Sequence, residues 1–220
     1  MELFIDIETV PVHAEYAQLP TEFKIHWEKK MQYLRLKDHE RNDPEIAYYG
    51  HAGIFAEWSK VICIGLGYFS KKEKDLKTSA IYGDDEIEIL TNFKSVLAGF
   101  REFTDIIFCG HNIKEFDLPF LCRRMRIHQI PLPDELQLAG LKPWENLHVD
   151  TMDMWRFGER KRFTSLDLLA HALGETSSKT DMDGSQVAQE YYKEKNLDKI
   201  VDYCKRDVIT TAAVYNRLKA

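Results

Sequence analysis

The stretch Leu3-Phe4-Ile5-Asp6-Ile7-Glu8-Thr9 decides how the rest of the chain is read. Its apolar residues suit a buried strand, yet it carries two acids. Strand side chains alternate between faces, so Asp6 and Glu8 project from the same one. Adjacent carboxylates repel, and holding them beside an apolar core is costly unless a proton or a cation neutralises them. A solvated strand end accounts for such a pair equally well. The weight therefore rests on whether other parts of the chain bring acids to the same spot.

Outward from this strand, the composition sets bounds. A chain of 220 residues with 44% hydrophobic and 12% aromatic content is expected to fold as one α/β domain spanning residues 1–220. No apolar run reaches the ~18 residues that a membrane span needs, and the first strand begins at once, so the expectation is a cytoplasmic protein without a membrane partner. The four cysteines, Cys63, Cys109, Cys122 and Cys204, lack CxxC or zinc spacing, and three of them sit in apolar runs and read as small buried hydrophobes, so neither a disulfide framework nor a structural zinc is expected. A net charge of −6 argues against bulk electrostatic gripping of nucleic acid. It leaves room for local binding, because cations in a carboxylate site would offset its charge.

Residues 13–57 read as a long, partly helical insertion after the first strand. Phe23, Trp27, Met31 and Leu34 recur at helical spacing. Mixed charge over the same span suits a solvated helical face, and the aromatic residues Tyr48, Tyr49, Phe55 and Trp58 suit ordinary packing. A cover over a substrate groove is the functional alternative. Strands are then expected at 60–69, 78–82, 105–110 and 148–153, with a charged hairpin tip at 71–77. The first three strands read as an antiparallel meander. Helices are expected at 84–100, with Ile87, Leu90, Phe93 and Leu97 on one face, and at 114–126, 166–173, 186–194 and 197–218. Asp84 or Asp85 and Ser165 serve as N-caps, and Gly174 as a helix stop.

Two more acids stand in informative places. Asp117 begins a helix in Asn112-Ile113-Lys114-Glu115-Phe116-Asp117, where the helix dipole also favours an acid. Tyr203 and Asp207 lie four residues apart on the last helix and share one face. Taken together, Asp6-x-Glu8, Asn112-x-x-x-Phe116-Asp117 and Tyr203-x-x-x-Asp207 resemble, in order and approximate spacing, the motifs of the DEDD superfamily of 3′–5′ exonucleases. The tyrosine four residues before Asp207 is similar to the Tyr subtype; the His subtype would place histidine where this chain has Asp202. Ser165-Leu166-Asp167-Leu168-Leu169, Asp183-Gly184-Ser185 and Tyr203-Cys204 narrow the resemblance to stand-alone bacterial proteins related to the exonuclease domain of family B polymerases.

The resemblance implies an RNase H-like fold, a five-stranded mixed sheet flanked by helices, with the acids converging at one end. It implies a 3′–5′ exonuclease that releases nucleoside 5′-monophosphates with two divalent cations, Mg²⁺ or Mn²⁺. Asp6 would bridge both ions, Glu8 and Asp207 would complete the water-activating site, Asp117 would serve the leaving group, and Tyr203 would orient the water. Thr9, Asn112 and Phe116 are the expected substrate contacts, and Arg156, Arg160, Lys161 and Arg162 a further basic connector. Single-stranded DNA 3′ ends are the favoured partner. An RNA exonuclease of the ribonuclease D type and a non-catalytic nucleic-acid-binding module are the alternatives. Asp150, Asp153 and Asp167 read as capping or strand-end acids.

Overall fold

The structure is a computed structural model that describes residues 1–70, 75–159, 162–177 and 182–219. Positions 71–74 of the expected hairpin tip, and Arg160 and Lys161 of the basic connector, lie outside the described residues.

The acidic strand sits at the centre of the sheet. The strands are β1 (Glu2–Pro11), β2 (Ser59–Phe69), β3 (Leu76–Tyr82), β4 (Ile107–Gly110) and β5 (Val149–Asp150), in the spatial order β3-β2-β1-β4-β5. β1 pairs antiparallel with β2 and parallel with β4, β2 pairs antiparallel with β3, and β4 pairs parallel with β5. The expected five-stranded mixed sheet and its antiparallel meander are therefore present. The last strand is shorter than expected: residues 151–153 begin a helix instead. The Asp150 carboxylate accepts the Met152 N–H at 2.9 Å, capping that helix and ending the strand after two residues.

The helices are α1 (Thr21–Met31), α2 (Asp38–Arg41), α3 (Pro44–His51), α4 (Glu86–Arg101), α5 (Asp117–Ile127), α6 (Thr151–Arg156), α7 (Leu166–Leu173), α8 (Val187–Gln189) and α9 (Leu197–Lys219). Local chemistry sets several of their ends. Asp85 caps α4 through the Ile87 and Glu88 N–H groups, Ser165 caps α7, and Gly174 leaves α7 in the left-handed region at φ 74°.

Alternation along β1 divides the core. Leu3, Ile5 and Ile7 pack with Ile89, Leu90 and Phe93 of α4 and Leu118 and Leu121 of α5. Phe4 and Val10 face the other way, toward Val208 and Tyr203 of α9. Ile87 departs from the expected stripe: it is half exposed, and Ile89 takes a buried position on α4. The insertion forms a separate apolar cluster around Trp27, Tyr48 and Trp58. Trp27 and Met31 are buried there, whereas Phe23 is exposed. Its aromatics mainly pack the insertion against itself, as the plain reading expected.

Two glycines set the distance between α9 and the sheet. A Cβ on Gly65 would stand 2.8 Å from Cys204 Sγ, and one on Gly67 would stand 2.6 Å from Val208 Cγ1. Bare backbone at these positions lets the helix lie directly on β2. Cys204 and Val208 fill that contact, and their helical neighbours Tyr203 and Asp207 line the cleft beside β1.

Candidate active site

The cleft, about 450 Å³ in volume, has β1 as its floor. Asp6, Glu8 and Thr9 line it from β1, Phe116 from the turn before α5, and Tyr203 and Asp207 from α9. Three sequence segments far apart in the chain thus meet at one end of the sheet, and β1 and α9 bring acids to it.

Backbone irregularities aim these groups. Between Glu8 and Thr9 the β1/β2 register slips, Glu8 facing Cys63 and Thr9 facing Val61, so that Ile62 is an extra residue on β2. Such a bulge increases local twist and re-aims side chains, and this one lies beside the second acid. After β4 the chain turns at once. A Cβ on Gly110 would meet Ile113 Cγ2 at 2.0 Å and Ile5 O at 2.8 Å, and Asn112 adopts φ 65°. The Asp150 carboxylate holds the turn by accepting the Asn112 N–H at 2.9 Å and the Lys114 N–H at 3.1 Å. These bonds delay the helix, which begins at Asp117 rather than near residue 114. Asp117 Oδ1 then accepts the Ile7 N–H at 3.1 Å, fastening the third acid to the strand that bears the first two.

Electrostatics at this end of the sheet are unfavourable for four free carboxylates. Burial, followed by repulsion from Asp207, holds the Asp6 and Glu8 carboxyls well above the usual range. Burial also pushes Asp117 up to about 7, even though its hydrogen bonds to the backbone oppose the shift. Asp6 Oδ2 is sealed from solvent without a hydrogen-bond partner. Asp6, Glu8 and Cys204 each offer a ligand atom within 4.8 Å of the others. The Cys204 Sγ donates to the Asp6 carbonyl oxygen at 3.5 Å, which leaves the acids as the hard oxygen donors of the group. An unpartnered buried oxygen among repelling acids fits a bound divalent cation, which would neutralise what burial and repulsion oppose.

Tyr203 is buried, and desolvation followed by the negative field of Asp207, Glu8 and Asp6 pushes its phenol well above its ordinary value. It therefore stays protonated at neutral pH and can donate a hydrogen bond. Asp202, at the position a His-type motif would use, is exposed.

The expected substrate contacts are distributed differently. Phe116 lines the cleft and packs on Phe120 with ring centroids 5.5 Å apart. The Thr9 hydroxyl donates to the Gly53 carbonyl at 2.7 Å, tying β1 to the insertion, while the residue itself lines the cleft. Asn112 shapes the turn and is not among the residues lining the cleft. Arg156 bonds Glu115 and Asp153, each at 3.2 Å, so the described part of the basic connector is held by neighbouring acids.

Two further parts of the wall were not among the expected site residues. Tyr49, Gly50, His51, Gly53 and Ile54 come from the insertion, and Gly184, Ser185 and Ala188 come from the segment before α9. Asp183-Gly184-Ser185 was visible as a motif but carried no assignable chemistry; its aspartate accepts the Ser185 N–H at 2.8 Å and shapes the turn.

No helix among the described residues is long and apolar enough to cross a membrane. Comparison with curated proteins returned no match. Residues 56–220 match the family described as a predicted 3′–5′ exonuclease related to the exonuclease domain of PolB. The matched span includes Asp117, Tyr203 and Asp207, and the strand bearing Asp6 and Glu8 precedes it. With β1 at the centre of the same sheet and its acids beside those of α9, the chain belongs to this family of predicted 3′–5′ exonucleases, a family of hydrolases.

Proposed function

We propose that the protein is a Tyr-type DEDD exonuclease that removes nucleoside 5′-monophosphates from the 3′ end of single-stranded DNA, with Asp6, Glu8, Asp117 and Asp207 holding two divalent cations, Mg²⁺ or Mn²⁺. The observation that carries this reading is the buried, unpartnered Asp6 Oδ2, with the carboxyls of Asp6, Glu8 and Asp117 driven toward protonation. A cation would give Asp6 Oδ2 the partner that no hydrogen-bond donor supplies. When bound, paired cations lower the pKa of water and offset charge on the attacking and leaving oxygens of an in-line displacement.

The chain's own groups divide the remaining work. Asp6, at the centre of the floor, is the ligand best placed to be shared. Glu8 and Asp207 stand with it beneath Tyr203, whose protonated phenol donates to the attacking water and orients its lone pair toward phosphorus. Its raised pKa makes it unsuited to take the proton. Asp117, fixed by the Ile7 N–H, serves the leaving-group side. A bond forms between the water oxygen and phosphorus while the bond to the preceding 3′ oxygen breaks. The water proton passes to solvent and the departing 3′ oxygen gains one. Phe116 and Thr9 contact the terminal nucleotides from the cleft walls.

The test is degradation of 3′- and 5′-labelled single-stranded DNA, duplex DNA and RNA in Mg²⁺, Mn²⁺ or chelator. Mononucleotide release from single-stranded DNA 3′ ends is expected in metal and none in chelator. Asp6→Asn should lose at least about a hundredfold in rate while retaining its fold. Degradation by Asp6→Asn at the wild-type rate would falsify the assignment. Faster turnover of RNA would transfer the same chemistry to a ribonuclease.

A further inference from the structure

The insertion supplies a wall of the cleft that the matched family span, beginning at residue 56, does not contain. Tyr49 and Ile54 are the large apolar side chains on that wall, and they are 37% and 57% exposed. Single exposed apolar residues are ordinary on a surface. These two face a cleft floored by acids, and the backbone that carries them is anchored. Thr9 donates to Gly53 O, and Tyr48, the neighbour of Tyr49, is fully buried with its ring 5.5 Å from that of Trp27. The Tyr49 ring is presented by a packed element rather than a loose loop.

What lies behind Tyr49 gives the wall a direction. The same residue lines a second hollow of about 510 Å³ on its far side, where Glu15, Asp43 and Glu45 face the single cation Lys193. Lys193 Nζ sits 5.1 Å from the Tyr49 ring centroid, bridging from the segment after α8 to the insertion. A phosphodiester chain continuing past Tyr49 would enter an acidic space, which repels it. The acids behind Tyr49 disfavour a polyanion running on past the ring, which favours a chain end as the occupant of this wall.

We propose that Tyr49, supported by Ile54, stacks the base of the terminal nucleotide, and that the insertion thereby favours a chain end in the cleft. This rests on the exonuclease reading above. The contact needs a π face and an unpaired base, and it is tolerant of base identity. A paired terminal base would have to leave its partner strand to reach it.

The proposal is tested by steady-state kinetics in Mn²⁺ on two short single-stranded DNAs that differ in whether the 3′-terminal nucleotide carries its base. For the wild-type protein, removing that base should lower kcat/KM about tenfold, within the range that base–aromatic stacking supports. For Tyr49→Ala the loss should shrink to less than about twofold, because the partner ring is already gone, and Tyr49→Phe should behave as the wild type. Tyr49→Leu, which keeps apolar bulk without the ring, should behave as Tyr49→Ala and covers the case in which the smaller residue disturbs the fold. A tenfold loss on base removal in both ring-less variants overturns the proposal. So does a base dependence that vanishes in Phe116→Ala instead, which would put the base on the opposite wall. Failure of the exonuclease reading would show separately, as Asp6→Asn retaining full activity.

Discussion

At the scale of single residues, burial and mutual repulsion hold Asp6, Glu8 and Asp117 where they ionise less readily than free carboxyls. Asp117 is informative because two influences oppose each other on it. Its bonds to backbone N–H groups favour the carboxylate, yet burial dominates and places it at about 7. Together with Asp6 and Glu8, which are also shifted up, the metal-free protein retains protons at neutral pH that a cation must displace. Adding Mn²⁺ at pH 7 should therefore release protons, and apparent affinity should rise with pH through the range around 7. Isothermal titration in buffers of different ionisation enthalpy reads this directly. A binding heat independent of the buffer would contradict the proton count. The raised phenol of Tyr203 follows from the same negative field, so its role as a donor and the cation site share one cause.

At the scale of elements, α5 is fixed at both ends by different chemistry. Its first residue is tied to β1 through the Ile7 N–H. Two turns later Arg124 is buried against Glu86 of α4, with Nε to Oε1 at 2.9 Å and Nη2 to Oε2 at 2.5 Å. Glu86 also accepts the Val61 N–H at 2.7 Å, and Arg124 donates to Ala56 O at 2.7 Å, so one ion pair joins α4, α5, β2 and the end of the insertion. Breaking a buried pair from one side leaves an uncompensated charge and costs about 3–5 kcal/mol. Glu86→Ala should lower unfolding stability by about that amount, measured by urea denaturation, whereas Glu86→Ala combined with Arg124→Met should recover part of it. A loss under about 1 kcal/mol would show the pair to be dispensable.

At the scale of the whole molecule, buried histidines make stability depend on pH. His148 accepts the Phe108 N–H on Nδ1 at 3.1 Å, and its Nε2 lies 2.8 Å from Glu135 O, which fixes the neutral tautomer with the proton on Nε2. Burial depresses its pKa below the ordinary histidine value, and burial acts in the same direction on His111. The unfolded chain therefore binds more protons than the native one as pH falls through about 6.5, the ordinary value. The stability from these groups is present above that pH and is lost below it. The raised carboxyls of Asp6, Glu8 and Asp117 act in the opposite direction over the same window. The histidine contribution is therefore read by difference: relative to the wild type, thermal unfolding of His148→Gln should lose less stability, or gain more, between pH 7.5 and 5.5. An unchanged slope in that variant would remove His148 as a cause.

Much of this organisation was legible in local pattern, because local pattern has local causes. Alternation placed Asp6 and Glu8 on one face of β1, and a spacing of four placed Tyr203 and Asp207 on one face of α9. Caps at Asp85 and Ser165 and the glycine after α7 marked helix ends through bonds made within a few residues. The start of α5 was misplaced by three residues because the competing acceptor, Asp150, lies 36 to 38 residues away in sequence from the N–H groups that it holds. β5 is short for a local reason, the Asp150 cap on the Met152 N–H. Long-range contacts also set what periodicity could not express: the approach of α9 over Gly65 and Gly67, the slip in register beside Glu8, and the side of the cleft on which Tyr49 stands. Which residues carry charge, and on which face of their own element, is a property of the chain. Which of those charges must share a sealed space, and so require a cation, depends on folding segments from residues 6, 117 and 207 onto one another.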